Sequence, residues 1–185
     1  MGCGAGQTLI ACDLREGVLA CGLDLDFSAL RLGKEWAARV HFVQASGELI
    51  PFPHAQFDFV IARLSLPYLY IPAALAEIHR VLKPGGKFWM VLHPFSMVWR
   101  QFLESVRALN FNEMLLRVYV LLNGVTVHLL GKPFRFPFNR RRCESFQTDR
   151  AMKRALRLAG FVRIQISRGS FYVATAEKPL TKSAL

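Results

Sequence analysis

Apolar runs alternate with stretches of helical periodicity through residues 17–92, and no other feature narrows the possible folds of this chain as far. Strands separated by helices need crossover connections, so the segment predicts an α/β domain on a mostly parallel sheet. Residues 18–25 read as an apolar strand with an acidic end. Ser28 is placed to cap a helix over 28–39, with Leu30, Leu32, Trp36 and Ala37 as its buried stripe. A short strand over 41–45, a proline-containing connection over 47–56 and a buried strand over 57–62 follow. Pro72 suits the first turn of a helix reaching residue 82; the Lys83-Pro84-Gly85-Gly86 run ends it, and 87–92 is the next strand.

The rhythm breaks over 94–145. Residues 97–109 and 111–122 predict helices, and 132–142 a proline-containing, arginine-rich loop, so this stretch reads as an insertion. The pattern then resumes with a helix over 149–159, Gly160 as its terminator, and strands over 161–167 and 170–176 joined by a tight Arg168-Gly169 turn, which fits an antiparallel hairpin. The expected organisation is one domain. Residues 1–93 form a first part, 94–147 an inserted lid, 148–178 the closing helix and hairpin, and 179–185 a tail.

With 52% hydrophobic and 20% charged residues in 185, the composition is that of a single globular domain. The most apolar stretch, 114–130, contains Arg117, Asn123 and His128, so no transmembrane segment is expected. Met1-Gly2-Cys3 invites an acylation reading, but Gly6 stands where a myristoylation signal wants Ser or Thr. Cys3, Cys12, Cys21 and Cys143 form no CxxC pair and have no histidine at ligand spacing. The expectation is reduced thiols in a cytoplasmic protein without a metal.

Charge is unevenly placed. Residues 1–95 hold 8 Lys/Arg against 8 Asp/Glu, and residues 96–185 hold 16 against 5, so the whole net charge of +11 belongs to the second half. An acidic partner follows as a possibility, whether nucleic acid, anionic lipid or an acidic small molecule.

Gly2-Cys3-Gly4-Ala5-Gly6 is a glycine loop opening a helix, where absent side chains let backbone approach a ligand. Such a run also occurs in nucleotide oxidoreductases and in ordinary turns. Asp24 sharpens it: it ends the next strand about 20 residues on, where a carboxylate can accept hydrogen bonds from two ribose hydroxyls.

Four further segments stand in order: Gly22-Leu23-Asp24-Leu25-Asp26, Gly47-Glu48-Leu49-Ile50-Pro51-Phe52, Phe57-Asp58-Phe59-Val60, and Glu77-Ile78-His79-Arg80-Val81-Leu82-Lys83-Pro84-Gly85-Gly86. Together with the loop they resemble the small class I S-adenosylmethionine-dependent methyltransferases, closely over 2–93 and loosely over 148–178. The resemblance implies a Rossmann-like, mostly parallel twisted sheet with an antiparallel C-terminal hairpin, and S-adenosyl-L-methionine as cofactor. It places Gly2, Cys3, Gly4 and Gly6 against the cofactor's amino acid end, Asp24 on its ribose, Leu25 beside the adenine, and Ser46, Gly47 and Glu48 around the base. Many relatives carry an aspartate where Ser46 stands, so a charge-assisted bond is lost there. In relatives a strand also precedes the loop, between the strand ending at Asp24 and the one beginning at Phe57. The chain from Met1 is therefore expected to lack its first strand and to bind cofactor poorly.

Ala62, Arg63 and Leu64 follow a buried strand at the carboxyl edge, where ligands of open α/β sheets sit. Pro67 stands where relatives often carry a histidine, and Tyr68 reads as packing. His93 ends the 87–92 strand at the same edge and is a candidate general base; the competing reading is a polar residue at a strand end before Pro94. Phe95, Trp99, Phe102, Phe111, Tyr119, Phe134, Phe136 and Phe138 of the insertion are either core or the wall of an apolar pocket. These features favour methyl transfer to a small-molecule or lipid acceptor. An RNA or protein methyltransferase rests only on the basic half and on Arg140, Arg141 and Arg142, and a non-catalytic or partner-dependent relative remains a third reading.

Overall fold

The computed structural model describes residues 1–136 and 143–180. Phe138 and the arginines at 140–142 lie outside them. A short helix α1 (Gln7–Ala11) precedes strand β1 (Ala20–Asp24), helix α2 (Phe27–Trp36) and strand β2 (Val40–Gln44). Strand β3 (Phe57–Arg63), a 3-10 turn at Leu66–Tyr68, helix α3 (Ile71–Val81) and strand β4 (Leu82–Val91) come next. The insertion supplies α4 (Phe95–Arg107) and α5 (Phe111–Leu130), and the chain closes with α6 (Asp149–Leu158), β5 (Val162–Arg168) and β6 (Tyr172–Glu177).

The strands fall into two sheets. β1 and β2 pair in parallel, and a four-stranded sheet runs in the order β3-β4-β6-β5, parallel between β3 and β4 and antiparallel beyond. The α/β class, mostly parallel sheet and C-terminal hairpin thus match the expectation. The two sheets share no ladder. Between β1 and β3 lies a slot of about 550 Å³, lined by Ala20, Cys21 and Leu23 on one side and by Phe57, Phe59 and Ile61 on the other. Residues 1–3 reach across its end: the Met1 ammonium donates to the Ile61 carbonyl at 2.8 Å, and the Cys3 N–H to the Leu23 carbonyl at 3.1 Å. Burial holds the Met1 ammonium below its ordinary pKa, against the opposing pull of the Cys3 and Asp24 side chains.

Three local readings need correction. Asp26, not Ser28, caps α2, its carboxylate accepting from the Ser28 and Ala29 N–H groups. The helix seats on Leu30 and Gly33, while Leu32 and Trp36 stay exposed. A Cβ on Gly33 would come within 2.7 Å of the Ala5 carbonyl oxygen, so the seating face is marked by a missing side chain, which a count of apolar residues overlooks. Lys83 to Gly86 does not connect a helix to a strand, because β4 already begins at Leu82. The run forms a bulge: pairing steps from Phe57↔Leu82 to Phe59↔Lys87, and Gly85 and Gly86 exchange backbone hydrogen bonds with Lys178.

The third correction is α5, which runs past Asn123-Gly124 to Leu130 and stops at Gly131, whose φ of 77° is left-handed. Asn123 would weaken an isolated helix, but it is fully buried and satisfied. Its amide donates to the carbonyls of Phe134 and Glu144 and to the Tyr119 hydroxyl, and its oxygen accepts from the Phe134 N–H. Gly124 admits the Phe146 ring, which a Cβ would overlap at 2.0 Å. These residues strap the segment after α5 back along it. Helix α5 is long and apolar enough to cross a membrane by length and composition, yet only a third of that window is buried against the domain.

The main core lies between α3 and the larger sheet. Ile71, Ala74, Leu75, Ile78 and Val81 repeat at helical spacing and pack with Phe88, Met90, Met152 and Leu156.

Candidate functional site

Gly2, Gly4 and Gly6 all have positive φ, so the loop ahead of α1 coils, with the Cys3 and Gly4 N–H groups turned toward the end of β1 and the Gly6 N–H back to the Cys3 carbonyl. Gly2 also has no room for a side chain, since a Cβ would sit 2.2 Å from that of Ser65. The Gly4 N–H donates to Asp24 Oδ2 at 2.7 Å, and the Asp26 N–H to Asp24 Oδ1 at 3.0 Å. Each carboxylate oxygen thus takes one backbone donor and keeps acceptor capacity for a ligand. Loop and carboxylate, 20 residues apart in the chain, form one site. Cys3 lies in the same loop. Burial pushes its thiol up to about 11, so it is un-ionised at neutral pH and is no nucleophile.

Leu25 follows at the mouth, 63% exposed, its carbonyl accepting from the Gln44 side chain. The Ala45 N–H donates to the Asp24 carbonyl, which brings the 46–52 loop alongside. There Ser46 Oγ accepts from the Glu48 N–H, and Gly47 is buried against the Met1 and Leu69 side chains. Glu48 turns elsewhere: its carboxylate accepts from the Tyr70 N–H at 2.8 Å and pairs with Arg135 at 2.6 Å, tying the loop to the insertion. Ala62 is wholly buried in the core, whereas Leu64, with φ 57°, is partly exposed at the carboxyl edge of β3.

His93 stands at the end of β4, 4% exposed. Its backbone is held by Gln147 on both sides: the His93 N–H donates to Gln147 Oε1, and the Gln147 N–H to the His93 carbonyl. The ring meets Tyr68 edge-on at 5.2 Å, and Nδ1 has no hydrogen-bond partner among the described residues. Burial lowers the imidazole pKa, with Glu144 opposing and Arg117 adding to the fall, so the ring is neutral at pH 7. The turn 65–68 links this group to the glycine loop, because Ser65 Oγ donates to the Met1 carbonyl while Tyr68 packs on His93. Among the insertion's aromatics, Tyr119 is core and edge-packed on Phe134 and Phe136, while Phe95, Trp99 and Phe111 are largely exposed.

A clamp escaped the sequence reading. Glu77 and Arg80, one helical turn apart on α3, pair at 2.7 Å and together grip the loop: Glu77 accepts from the Ile50 N–H, and Arg80 donates to the carbonyls of Ile50 and Phe52. Their i,i+3 spacing on the loop-facing side of a buried helix was the available signal.

Residues 1–90 match the family model described as a methyltransferase domain. With the loop, the carboxylate and the fold in place, the chain carries a class I, S-adenosylmethionine-dependent methyltransferase domain. Over 96 residues it is 38% identical to the ubiquinone/menaquinone biosynthesis C-methyltransferase UbiE of Cupriavidus necator, an alignment covering 49% of this chain and 39% of that one. The chain therefore spans about two fifths of the curated relatives it matches. Among solved structures, a possible histamine N-methyltransferase from Thermotoga maritima aligns at a TM-score of 0.64 and 15% identity, covering 96% of this chain and 79% of that one. Human N-acetylserotonin methyltransferase in complex with S-adenosylmethionine aligns at 0.62 and 18%, covering 97% and 46%. At such identities the likeness is one of fold.

Proposed function

We propose that this chain transfers a methyl group from S-adenosylmethionine to an apolar small-molecule acceptor of the lipid-quinone kind. The hydrogen bond from Gly4 to Asp24 carries the cofactor half, since it joins the glycine cradle to a carboxylate with free acceptor positions. The acceptor half rests on the similarity to a quinone C-methyltransferase and on the apolar insertion after His93.

The cradle suits the group: the Gly2, Gly4 and Gly6 backbone would face the amino acid end, Asp24 the ribose, Leu25 the adenine, and Ser46 to Glu48 the base, with Leu64 at the rim. When bound, S-adenosylmethionine supplies a methyl already activated on a sulfonium, so the protein's task is chiefly to position the acceptor and exclude water. His93, neutral and desolvated, can take a proton from an acidic acceptor carbon or hydroxyl. Residues 1–93 would hold the cofactor, 94–147 would cover the acceptor, and 148–178 would complete the sheet.

The test is calorimetric titration with S-adenosylhomocysteine, followed by transfer of labelled methyl to quinol lipids, RNA and protein in parallel. Binding with label in the quinol is expected. Label in RNA or protein instead would transfer the proposal to those acceptors, and absence of binding would make the chain a non-catalytic relative.

A further inference from the structure

Among the described residues, nothing covers one whole face of helix α5. Phe111, Leu115, Val118, Leu122, Val125 and Leu129 recur at intervals of four and three, which at 3.6 residues per turn is a single stripe, and all six are exposed. No charged residue interrupts it. The opposite face, with Leu116, Tyr119, Asn123 and Val127, is buried and pinned by the Asn123 hydrogen bonds, so the helix lies along the domain with its apolar stripe outward. Trp99 on α4, which packs along α5, is also exposed. A soluble monomer rarely shows an apolar surface of this extent.

The charge of the same half identifies what covers it. Arg107, Lys132 and, on the adjoining helix α6, Arg150, Lys153 and Arg157 are exposed and form no ion pair among the described residues. Arg154 of α6 donates to the last carbonyls of α5, so the basic helix is fastened to the end of the stripe. The negative side chains nearby are all paired: Glu104 with Arg100, Glu113 and Glu144 with Arg117, and Asp149, at the start of α6, with Arg168. A second copy would bring the +11 of residues 96–185 against an equal excess. An anionic bilayer meets both demands, burying the stripe among acyl chains while the cations face lipid phosphates.

We infer that α5 is an interfacial helix that docks the domain onto an anionic membrane surface. The docking does not depend on the proposed methyl transfer, but it would bring the acceptor side of the domain to where lipid acceptors reside.

Flotation with vesicles of phosphatidylcholine alone and of phosphatidylcholine with phosphatidylglycerol tests this without any activity. The parent is expected to float with the anionic vesicles and to lose most of that binding at high salt. Replacing Leu115, Leu122 and Leu129 by Glu should abolish flotation; because these side chains are exposed, melting should not fall. Replacing Arg150, Lys153 and Arg157 by Gln should weaken binding on the order of a hundredfold. A parent that stays unbound overturns the inference, as does flotation unaffected by the leucine changes. Sedimentation of the parent as a dimer that those changes split, with no vesicle binding, assigns the stripe to a second copy instead.

Discussion

The backbone N–H of Gly4 and the carboxylate of Asp24 meet at 2.7 Å, so the residue proposed to bind a ribose also holds the glycine loop in shape. Replacing Asp24 therefore disturbs more than a ligand contact. Asp24→Ala should weaken S-adenosylhomocysteine binding by ~1.5–3 kcal/mol, read by calorimetry. It should also lower the melting temperature, because the Gly4 and Asp26 N–H groups lose their acceptor. Asp24→Asn, which keeps one accepting oxygen, should recover part of the melting temperature. Parental binding in a folded Asp24→Ala protein would remove Asp24 from the site.

The Glu77–Arg80 clamp makes stability acid-dependent. Hydrogen bonding to Arg80, then to the Ile50 N–H, holds the Glu77 carboxyl below its ordinary range against the effect of burial. A depressed acid contributes stability above its unfolded pKa of about 4.3 and loses it as pH falls through the lower folded value. Urea denaturation should show Glu77→Gln less stable than the parent at pH 7, with the gap narrowing below about pH 4. An equal gap at both ends would show that the pair does not stabilise the loop.

His93 and His79 should act over a higher window. Burial lowers both folded pKa values, with Lys178 adding to the effect at His79. The unfolded chain then takes up protons first, so stability is full above about pH 6.5 and falls as pH drops from there toward the folded values. His93→Phe should flatten part of this fall. If His93 also serves as base, His93→Gln should lower kcat and abolish the acid limb of its pH profile, leaving S-adenosylhomocysteine affinity unchanged.

Gly124→Ala tests the strap along α5. Alanine favours the helix by roughly 1 kcal/mol. The new Cβ would overlap the Phe146 ring, a collision that costs about 1–3 kcal/mol in packed cores. A lower melting temperature is expected, and a higher one would mean that Phe146 moves aside freely.

The slot is lined by β1 on one side and β3 on the other, and among the described residues no strand lies between them. An apolar strand of about six residues fused ahead of Met1 should pair with both walls. The expected result is a higher melting temperature and tighter S-adenosylhomocysteine binding. A fusion that alters neither would show that the split sheet is sufficient as it stands.

Much of the fold was legible because its signals are local. Pro72 and Gly160 mark helix ends, alternating apolar runs mark the strands, and the Gly2-to-Asp24 spacing needs no partner to be seen. The errors arose where a distant residue overrules a local one. The expected helix ends before Asn123-Gly124, which Glu144 and Phe146 satisfy and fill, and the expected stripe of α2 omits Gly33, against which the Ala5 carbonyl rests.

The sequence by itself determined the α/β class, the glycine loop with its aspartate and the basic second half, since periodicity, spacing and charge are properties of the chain. Tertiary structure alone decided that Glu77 and Arg80 grip the 50–52 loop and that the stripe from Phe111 to Leu129 faces outward. Which face of an apolar helix is buried depends on what packs against it, and hydrogen bonds between residues far apart in the chain exist only once the chain has closed.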